Sequence, residues 1–207
     1  MRKMKSPSYV KFVKILDTTM ELINSYVFSS NKVKRELPKG AYLFIGNTQH
    51  AYTEFKHDGY SEAQAKLSAY ALAKIKMKTD FKINDSINDI IEHNIKFANS
   101  FLSRHNVKHI ELRTYWVNQY ESIFNDAIGG TADIVIENND GSYTIADFKN
   151  YQNPNNDDLA KHYYQCLIYA NLIKDQEGVE IKDIKIVYPS QEDIVSLPYQ
   201  DIELDKI

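Results

Sequence analysis

The first half of the chain repeats apolar residues at the spacing of amphipathic helices. This pattern predicts a helix over about 7–28, with Ser6 as its N-cap and Pro7 at the first helical position. A polar and basic stretch over 29–40 predicts a loop. Three further helices are predicted: one that begins near Asn47 or Thr48, one over 61–78 and one from Asn84 to His105.

The second half changes to patterns typical of strands. Strands are predicted in VKHIELRTYWV, TADIVIE and SYTIADFK, and the last two flank a turn signal centred on Asp140-Gly141, which indicates a β-hairpin. A helical pattern over 157–175 and a strand closed by Pro189 follow. The expected fold class is α/β (α+β), a small mixed β-sheet flanked by helices. We expect one domain over 1–207, mainly helical over 1–108, with the sheet core over 109–207.

The predicted hairpin carries three charged residues, Asp133, Asp147 and Lys149. Asp147 and Lys149 share a strand face because side chains alternate with period two. A loop centred on Asp140 places Asp133 opposite Asp147. Two opposed carboxylates destabilise a sheet unless a cation lies between them, which indicates a divalent metal. The alternative is an ion pair between Asp133 and Lys149, with Asp147 facing solvent.

The helix after the hairpin places Gln165 and Tyr169 on one face, because they are four residues apart. Most of its other residues are apolar. The simpler interpretation is a core helix with a tyrosine at its edge.

Charge divides the chain into two parts. Residues 1–110 hold 18 Lys and Arg against 10 Asp and Glu, whereas residues 111–207 hold 7 against 18. A basic front half suits a polyanion and an acidic back half suits a metal cation, although two solvated faces also explain the division.

The single cysteine, Cys166, excludes a disulfide framework within the chain, a four-cysteine zinc site and a four-cysteine iron–sulfur cluster. No apolar segment long enough for a membrane span and no secretory signal is evident, so we expect a cytoplasmic protein.

These residues together resemble a known family. The texts GGTADIVIENNDGSYTIADFKN and HYYQCLIYA are similar to the RecB-like branch of the PD-(D/E)xK nuclease superfamily, in which an acidic residue, a GxxD, a D-x-K and a helical Q-x-x-x-Y follow one another. Phage, viral and mitochondrial genome maintenance exonucleases belong to this branch. The resemblance covers about 109–190 and implies a restriction-endonuclease-like core.

The resemblance implies a set of metal ligands. Asp133 matches the aspartate of the GxxD, and Asp147 matches the acid of the D-x-K. Glu111 best matches the first acidic residue, with Glu121 as its competitor. His50, in GNTQHAYTEF, matches a helical histidine that can ligate the metal. Two other histidines, His93 and His109, are weaker rivals for that role.

The remaining matches imply catalytic roles. Lys149 matches the lysine that holds or activates the attacking water and stabilises the charge of the transition state. Gln165 and Tyr169 match the pair that lines the site and contacts substrate phosphate or the active-site residues. The cofactor implied is one or two Mg²⁺ or Mn²⁺ ions, without an iron–sulfur cluster.

The function implied is metal-dependent hydrolysis of DNA, with an exonuclease favoured over an endonuclease, in recombination, repair or replication in a bacterial or phage-infected cell. DNA ends or single strands are the expected partners, together with a recombination or replication protein. The alternatives are a nuclease-fold protein that binds nucleic acid without cutting it, an RNA endonuclease of the same superfamily, and a structural α/β module whose acidic pair is incidental.

Overall fold

A computed structural model describes residues 4–5, 15–29, 37–38, 40–77, 82–117, 127–151 and 153–202. Five helices are described: α1 Asp17–Ser25, α2 Ala41–His57, α3 Glu62–Met77, α4 Asp85–Leu102 and α5 Asn156–Glu177. Six strands are described: β1 Met4–Lys5, β2 Val107–Val117, β3 Ala127–Glu137, β4 Tyr143–Phe148, β5 Ile181–Tyr188 and β6 Asp193–Pro198. The predicted fold class is therefore confirmed.

The six strands form one mixed sheet around β3. Strand β2 pairs antiparallel with one edge of β3, and the other edge pairs with β4 and with the short β1. Strand β5 lies parallel to β4, and β6 closes the order antiparallel to β5. The parallel pair requires a crossover connection, which α5 supplies.

The β3–β4 hairpin has the predicted register. Its pairs run from Glu137↔Tyr143 to Ile134↔Ala146, so the turn is centred on Asp140. The turn is closed by Asn138, whose backbone N–H donates to Ser142 O at 2.8 Å. One further step along this register brings Asp133 opposite Asp147, as the sequence predicts.

Helices cover both faces of the sheet. On one face of β4, Ile145 belongs to a core shared with α5. On the opposite face, Ala146 and Phe148 belong to a core shared with α4. This alternation explains why all six residues of β4 are buried. A separate core joins α2, α3 and α4, so the front half contributes helices that pack on each other as well as on the sheet.

The predicted first helix is wrong in its extent. Ser6 and Pro7 lie outside the described residues, but Leu16 is extended, with ψ 139°, and its backbone N–H donates to Gln200 Oε1 at 2.9 Å. That bond replaces a helical one, so α1 begins at Asp17. It ends at Ser25, before 28, because Tyr26 is again extended.

The second helix begins earlier than predicted. It begins at Ala41, after Gly40 in the left-handed region, and continues through Gly46 to His57. Phe44 and Ile45 are buried in the core of the front half, and this burial extends the helix by two turns. The sequence prediction also lacked β1 and β6. Strand β6 alternates buried and exposed residues, but Asp193 is buried and Ile194 is exposed, so its sequence lacks the apolar and polar alternation that indicates a strand.

The start of α5 generates a testable prediction. Asn155 accepts a hydrogen bond from Asp158 N–H, and the Asp158 side chain accepts from Asn155 N–H, which is a capping box. Asn155→Ala removes the cap and is expected to lower the free energy of unfolding by about 1 kcal/mol. Chemical denaturation measures this loss. Asn153→Ala, at an exposed position nearby, is the matched control and is expected to change stability by less than about 0.5 kcal/mol. Equal losses in both variants would contradict the capping role.

Candidate active site

The two carboxylates of the hairpin are buried. Asp133 is 8% exposed and Asp147 is 2% exposed. Asp133 Oδ2 accepts a hydrogen bond from the backbone N–H of Phe148 at 2.9 Å, which fastens the two strands where their ladder ends. The hairpin therefore holds two acidic groups side by side in a place from which water is largely excluded.

Lys149 connects this acidic pair to α5. Its ammonium Nζ lies 2.8 Å from Asp147 Oδ2 and donates to Gln165 Oε1 at 2.9 Å. Gln165 in turn donates from Nε2 to Tyr169 Oη at 3.1 Å. The predicted residues Asp147, Lys149, Gln165 and Tyr169 thus form one continuous chain of polar contacts.

The alternative ion pair of the sequence analysis is wrong. Asp147 does not face solvent, and it is Asp147 rather than Asp133 that pairs with Lys149. The Asp147 side chain also interacts with the buried thiol of Cys166. A carboxylate has two oxygens with about four lone-pair sites, so its contact with one ammonium leaves Asp147 able to bind a metal cation as well.

A second cluster of ligand atoms lies on the other side of Asp133. His50 Nδ1 is 3.0 Å from Glu111 Oε1 and 3.5 Å from Asp133 Oδ1. Potential ligand atoms of these three residues all lie within 4.8 Å of one another. Helix α2 contributes the histidine, β2 the glutamate and β3 the aspartate, so three separate elements converge here.

Glu111 reaches this cluster through an unusual backbone. Its φ is 54°, in the left-handed region, although it lies in the middle of β2. The flanking pairs Ile110↔Ile134 and Leu112↔Ala132 place it across from Asp133. A residue other than glycine in this region costs roughly 1–3 kcal/mol, and such strain clusters at functional sites. No feature of the sequence announces this conformation.

The charged groups of the site shift one another's pKa values. Burial, and then the neighbouring Asp147, raise the pKa of Asp133 well above its usual range. Burial alone lowers the pKa of His50, but Asp133 and Glu111 raise it to about 9. Burial also opposes the charge on Lys149, and the two aspartates outweigh it and raise its pKa. The carboxylates are therefore compensated by two cations, an imidazolium and an ammonium.

The rival candidates lie elsewhere or cannot be placed. His93 Nε2 is 3.2 Å from Pro189 O and 3.4 Å from Glu192 Oε1, so it belongs to a contact between α4 and the turn after β5. His109, in β2, is not part of the three-residue cluster. Glu121 lies outside the described residues.

A further histidine of α5 lies next to the site, and no role for it is predicted from the sequence. His162 is buried, and its Nδ1 lies 2.9 Å from Tyr188 Oη. Burial and the nearby Lys149 lower its pKa to about 4, so it is neutral near pH 7. Its position three residues before Gln165, on the same face of α5, is the signal that could have marked it.

The donor set suits a divalent cation. Carboxylate oxygens are the preferred ligands of Mg²⁺, and an imidazole nitrogen beside them is also compatible with Mn²⁺. His50, Glu111 and Asp133 offer one such set, and Asp147 adds a buried carboxylate beside it. The residues present therefore fit a metal site.

Comparison with known proteins identifies a family whose chemistry agrees with a metal site. The family model of the PD-(D/E)XK nuclease superfamily matches residues 38–198. The chain belongs to the PD-(D/E)XK nuclease superfamily. This PD-(D/E)XK chain matches no curated protein sequence. A solved structure described as "Crystal structure of SSO0001" is 15% identical, with 89% of this chain and 76% of that chain covered at a TM-score of 0.42.

Membership in this superfamily makes the chain a nuclease of a metal-dependent class, with nucleic acid as its substrate class and hydrolysis as its reaction. In the part of the chain that the structure describes, the helices are all too short or too polar to cross a bilayer.

The cluster around Asp133 generates a metal-binding prediction. A cation that binds only the folded protein stabilises it, by about 2.7 kcal/mol when its concentration is 100 times the Kd. Millimolar Mn²⁺ is therefore expected to raise the melting temperature of the wild-type protein. His50→Ala is expected to shrink that rise, because it removes one ligand atom.

The histidines outside the cluster supply the controls. His93→Ala and His109→Ala are expected to leave the Mn²⁺-dependent rise unchanged. A full rise in His50→Ala, or a loss of the rise in either control, would show that the ligand set is assigned incorrectly. Thermal melting with and without the metal is the measurement.

Proposed function

We propose that this chain is a metal-dependent deoxyribonuclease of the RecB-like branch, and that it acts as an exonuclease on DNA ends or single strands. The observation that supports this most strongly is the chain of contacts from Asp147 through Lys149 to Gln165 and Tyr169, with Asp133 across from Asp147. The branch is favoured because its helical Q-x-x-x-Y pair is present: Gln165 contacts Lys149 directly, and Tyr169 contacts Gln165.

In this proposal four residues hold the metal: Asp133, Asp147, His50 and Glu111. A Mg²⁺ or Mn²⁺ ion bound there would polarise the scissile phosphate and acidify a bound water. Asp147 belongs in the set because its carboxylate is buried across from Asp133, and its contact with the Lys149 ammonium through Oδ2 uses only part of its capacity to bind cations. The hydrogen bond between Phe148 N–H and Asp133 Oδ2 fixes the direction of one carboxylate.

Lys149 supplies fixed positive charge. Its ammonium is held by Asp147 Oδ2 and Gln165 Oε1, which leaves little freedom in its position. A phosphodiester gains negative charge on its equatorial oxygens as water attacks, and a preorganised cation stabilises that change more than the ground state. The raised pKa keeps Lys149 protonated near pH 7, so its role is to stabilise charge and to orient the water rather than to remove its proton.

Gln165 and Tyr169 act by positioning. The Gln165 amide is oriented by two bonds, since its oxygen accepts from Lys149 and its nitrogen donates to Tyr169. Burial raises the pKa of Tyr169 to about 12, so its hydroxyl remains protonated. That hydroxyl accepts from Gln165 and so helps to fix the direction of the amide.

The substrate preference rests on charge as well as on the site. Residues 1–110 carry a net charge of +8, which suits the phosphate backbone of DNA. Strand ends are favoured because the chain contains no recognisable motif for reading bases. A role in recombination, repair or replication, with a partner protein in a bacterial or phage-infected cell, follows from the same proposal.

One experiment separates the proposed activity from the others. The substrates are labelled circular DNA, linear double-stranded DNA, linear single-stranded DNA and an RNA of the same sequence. Each is incubated with the protein in parallel reactions that contain Mg²⁺, Mn²⁺ or EDTA, and both binding and cleavage are measured. Linear DNA that shortens while circular DNA survives supports an exonuclease. Nicked circles would indicate an endonuclease, cleavage of the RNA alone an RNA endonuclease, and binding without cleavage an inactive nuclease fold.

Lys149 provides a direct test of the mechanism. Lys149→Met keeps the apolar stem and removes the charge, and it is expected to lower kcat by about 10²-fold or more with little change in KM. Asp147 then lies buried without its counter-ion, so stability must be measured too, by chemical denaturation.

Lys182→Met is the matched control, because Lys182 is exposed and lies near the hairpin turn at Asp140. It is expected to retain wild-type kcat. An unchanged kcat in a folded Lys149→Met protein would contradict the role of the lysine.

A further inference from the structure

An exposed aromatic ring stands beside the candidate active site. Tyr151 follows Lys149 by two residues and is 42% exposed. Its ring packs edge-to-face against His162, with ring centroids 4.7 Å apart and an interplanar angle of 73°. A tyrosine that is anchored on one side and open to solvent on the other has a surface free for another flat ring.

The support beneath Tyr151 is rigid. His162 is 7% exposed, and its Nδ1 lies 2.9 Å from the hydroxyl of the fully buried Tyr188. The rings of His162 and Tyr188 also lie 5.8 Å apart. Because α5 and β5 hold these two side chains, Tyr151 gains a defined orientation at little further cost in conformational entropy.

His162 also connects Tyr151 to the reacting groups. It lies one helical turn before Gln165, which holds the Lys149 ammonium at 2.9 Å. Its neutral state, which burial and Lys149 together produce, means that it adds no competing charge to attract phosphate. Tyr151 and the neutral His162 beneath it therefore form an uncharged aromatic surface near Lys149, which suits a base rather than a phosphate.

We propose that Tyr151 is a stacking platform for a nucleobase of the substrate strand, next to the phosphate that is cleaved. This inference rests on the proposed nuclease function and specifies its substrate. Aromatic side chains stack on any base without reading its identity. A base within a duplex already has both faces covered, so the platform favours single-stranded DNA or a frayed end.

The test uses short single-stranded DNA oligonucleotides that each carry one abasic site at a different position. Cleavage at each linkage is measured in Mn²⁺. With the wild-type protein, removing the base that stacks on Tyr151 is expected to lower kcat/KM by roughly 5- to 100-fold, which is the effect of losing one stacked base. The sensitive position is expected to keep a constant distance from the cleaved linkage.

Substitutions connect that position to Tyr151. Tyr151→Leu keeps apolar cover over His162 but removes the aromatic face, so its cleavage is expected to be slow on intact DNA and insensitive to the abasic site. Tyr151→Phe is expected to restore the wild-type profile. Tyr60→Leu is the control, because Tyr60 is 43% exposed and also packs on another ring, that of Phe55, at the far end of α2. It is expected to behave as wild type.

The outcomes separate this inference from the proposed function. If the wild-type protein cleaves DNA and its cleavage depends on the position of the abasic site in the same way as that of Tyr151→Leu, Tyr151 is not a stacking platform, and the proposed nuclease function is unaffected. A profile that changes equally in Tyr60→Leu would also overturn it. A wild-type protein that cleaves none of the nucleic acids offered would remove the proposed function first, and the platform with it. Melting temperatures of all variants confirm that each is folded.

Discussion

The burial of Asp133 beside Asp147 is the constraint on which the rest of the site depends. The hairpin register places the two carboxylates across from each other, and the cores on both faces of the sheet keep water away. Buried charges must be paired, protonated or bound to a metal. Neighbouring residues pair these charges, since Lys149 faces Asp147 and His50 lies close to both Asp133 and Glu111.

The same constraint explains features that cost stability. Glu111 adopts a left-handed backbone in the middle of β2, where an extended one would be cheaper, and so adds a third carboxylate to an already acidic place. A fold selected for stability alone would not bring these groups together. The cost is consistent with a site whose geometry is set by a cation, because strain of this kind persists where the surroundings fix it for function.

The sequence predicts the hairpin and its register because strand alternation and a turn centre are local signals. It predicts α5 and the shared face of Gln165 and Tyr169 for the same reason, whereas only the family resemblance implies that this face lies at the site. It misses the start of α2, where burial of Phe44 and Ile45 among helices distant in the sequence decides the boundary. It cannot show the φ of Glu111 or the approach of His50, because both depend on how α2 docks on β2 and β3. Local patterns therefore locate the acidic pair and the lysine, whereas tertiary packing decides which other groups join them.

His50 shows how the site balances its charge. Three carboxylates and two cations, His50 and Lys149, meet here, and the pKa of about 9 keeps the imidazole protonated near pH 7. A protonated imidazole cannot ligate a metal, so binding of a cation through His50 must release that proton. The proton and the metal ion then compete for the same imidazole nitrogen, and either one offsets part of the charge of the neighbouring carboxylates. The imidazolium is the form that pairs with Asp133 and Glu111, and the deprotonated ring is the form that can become a ligand.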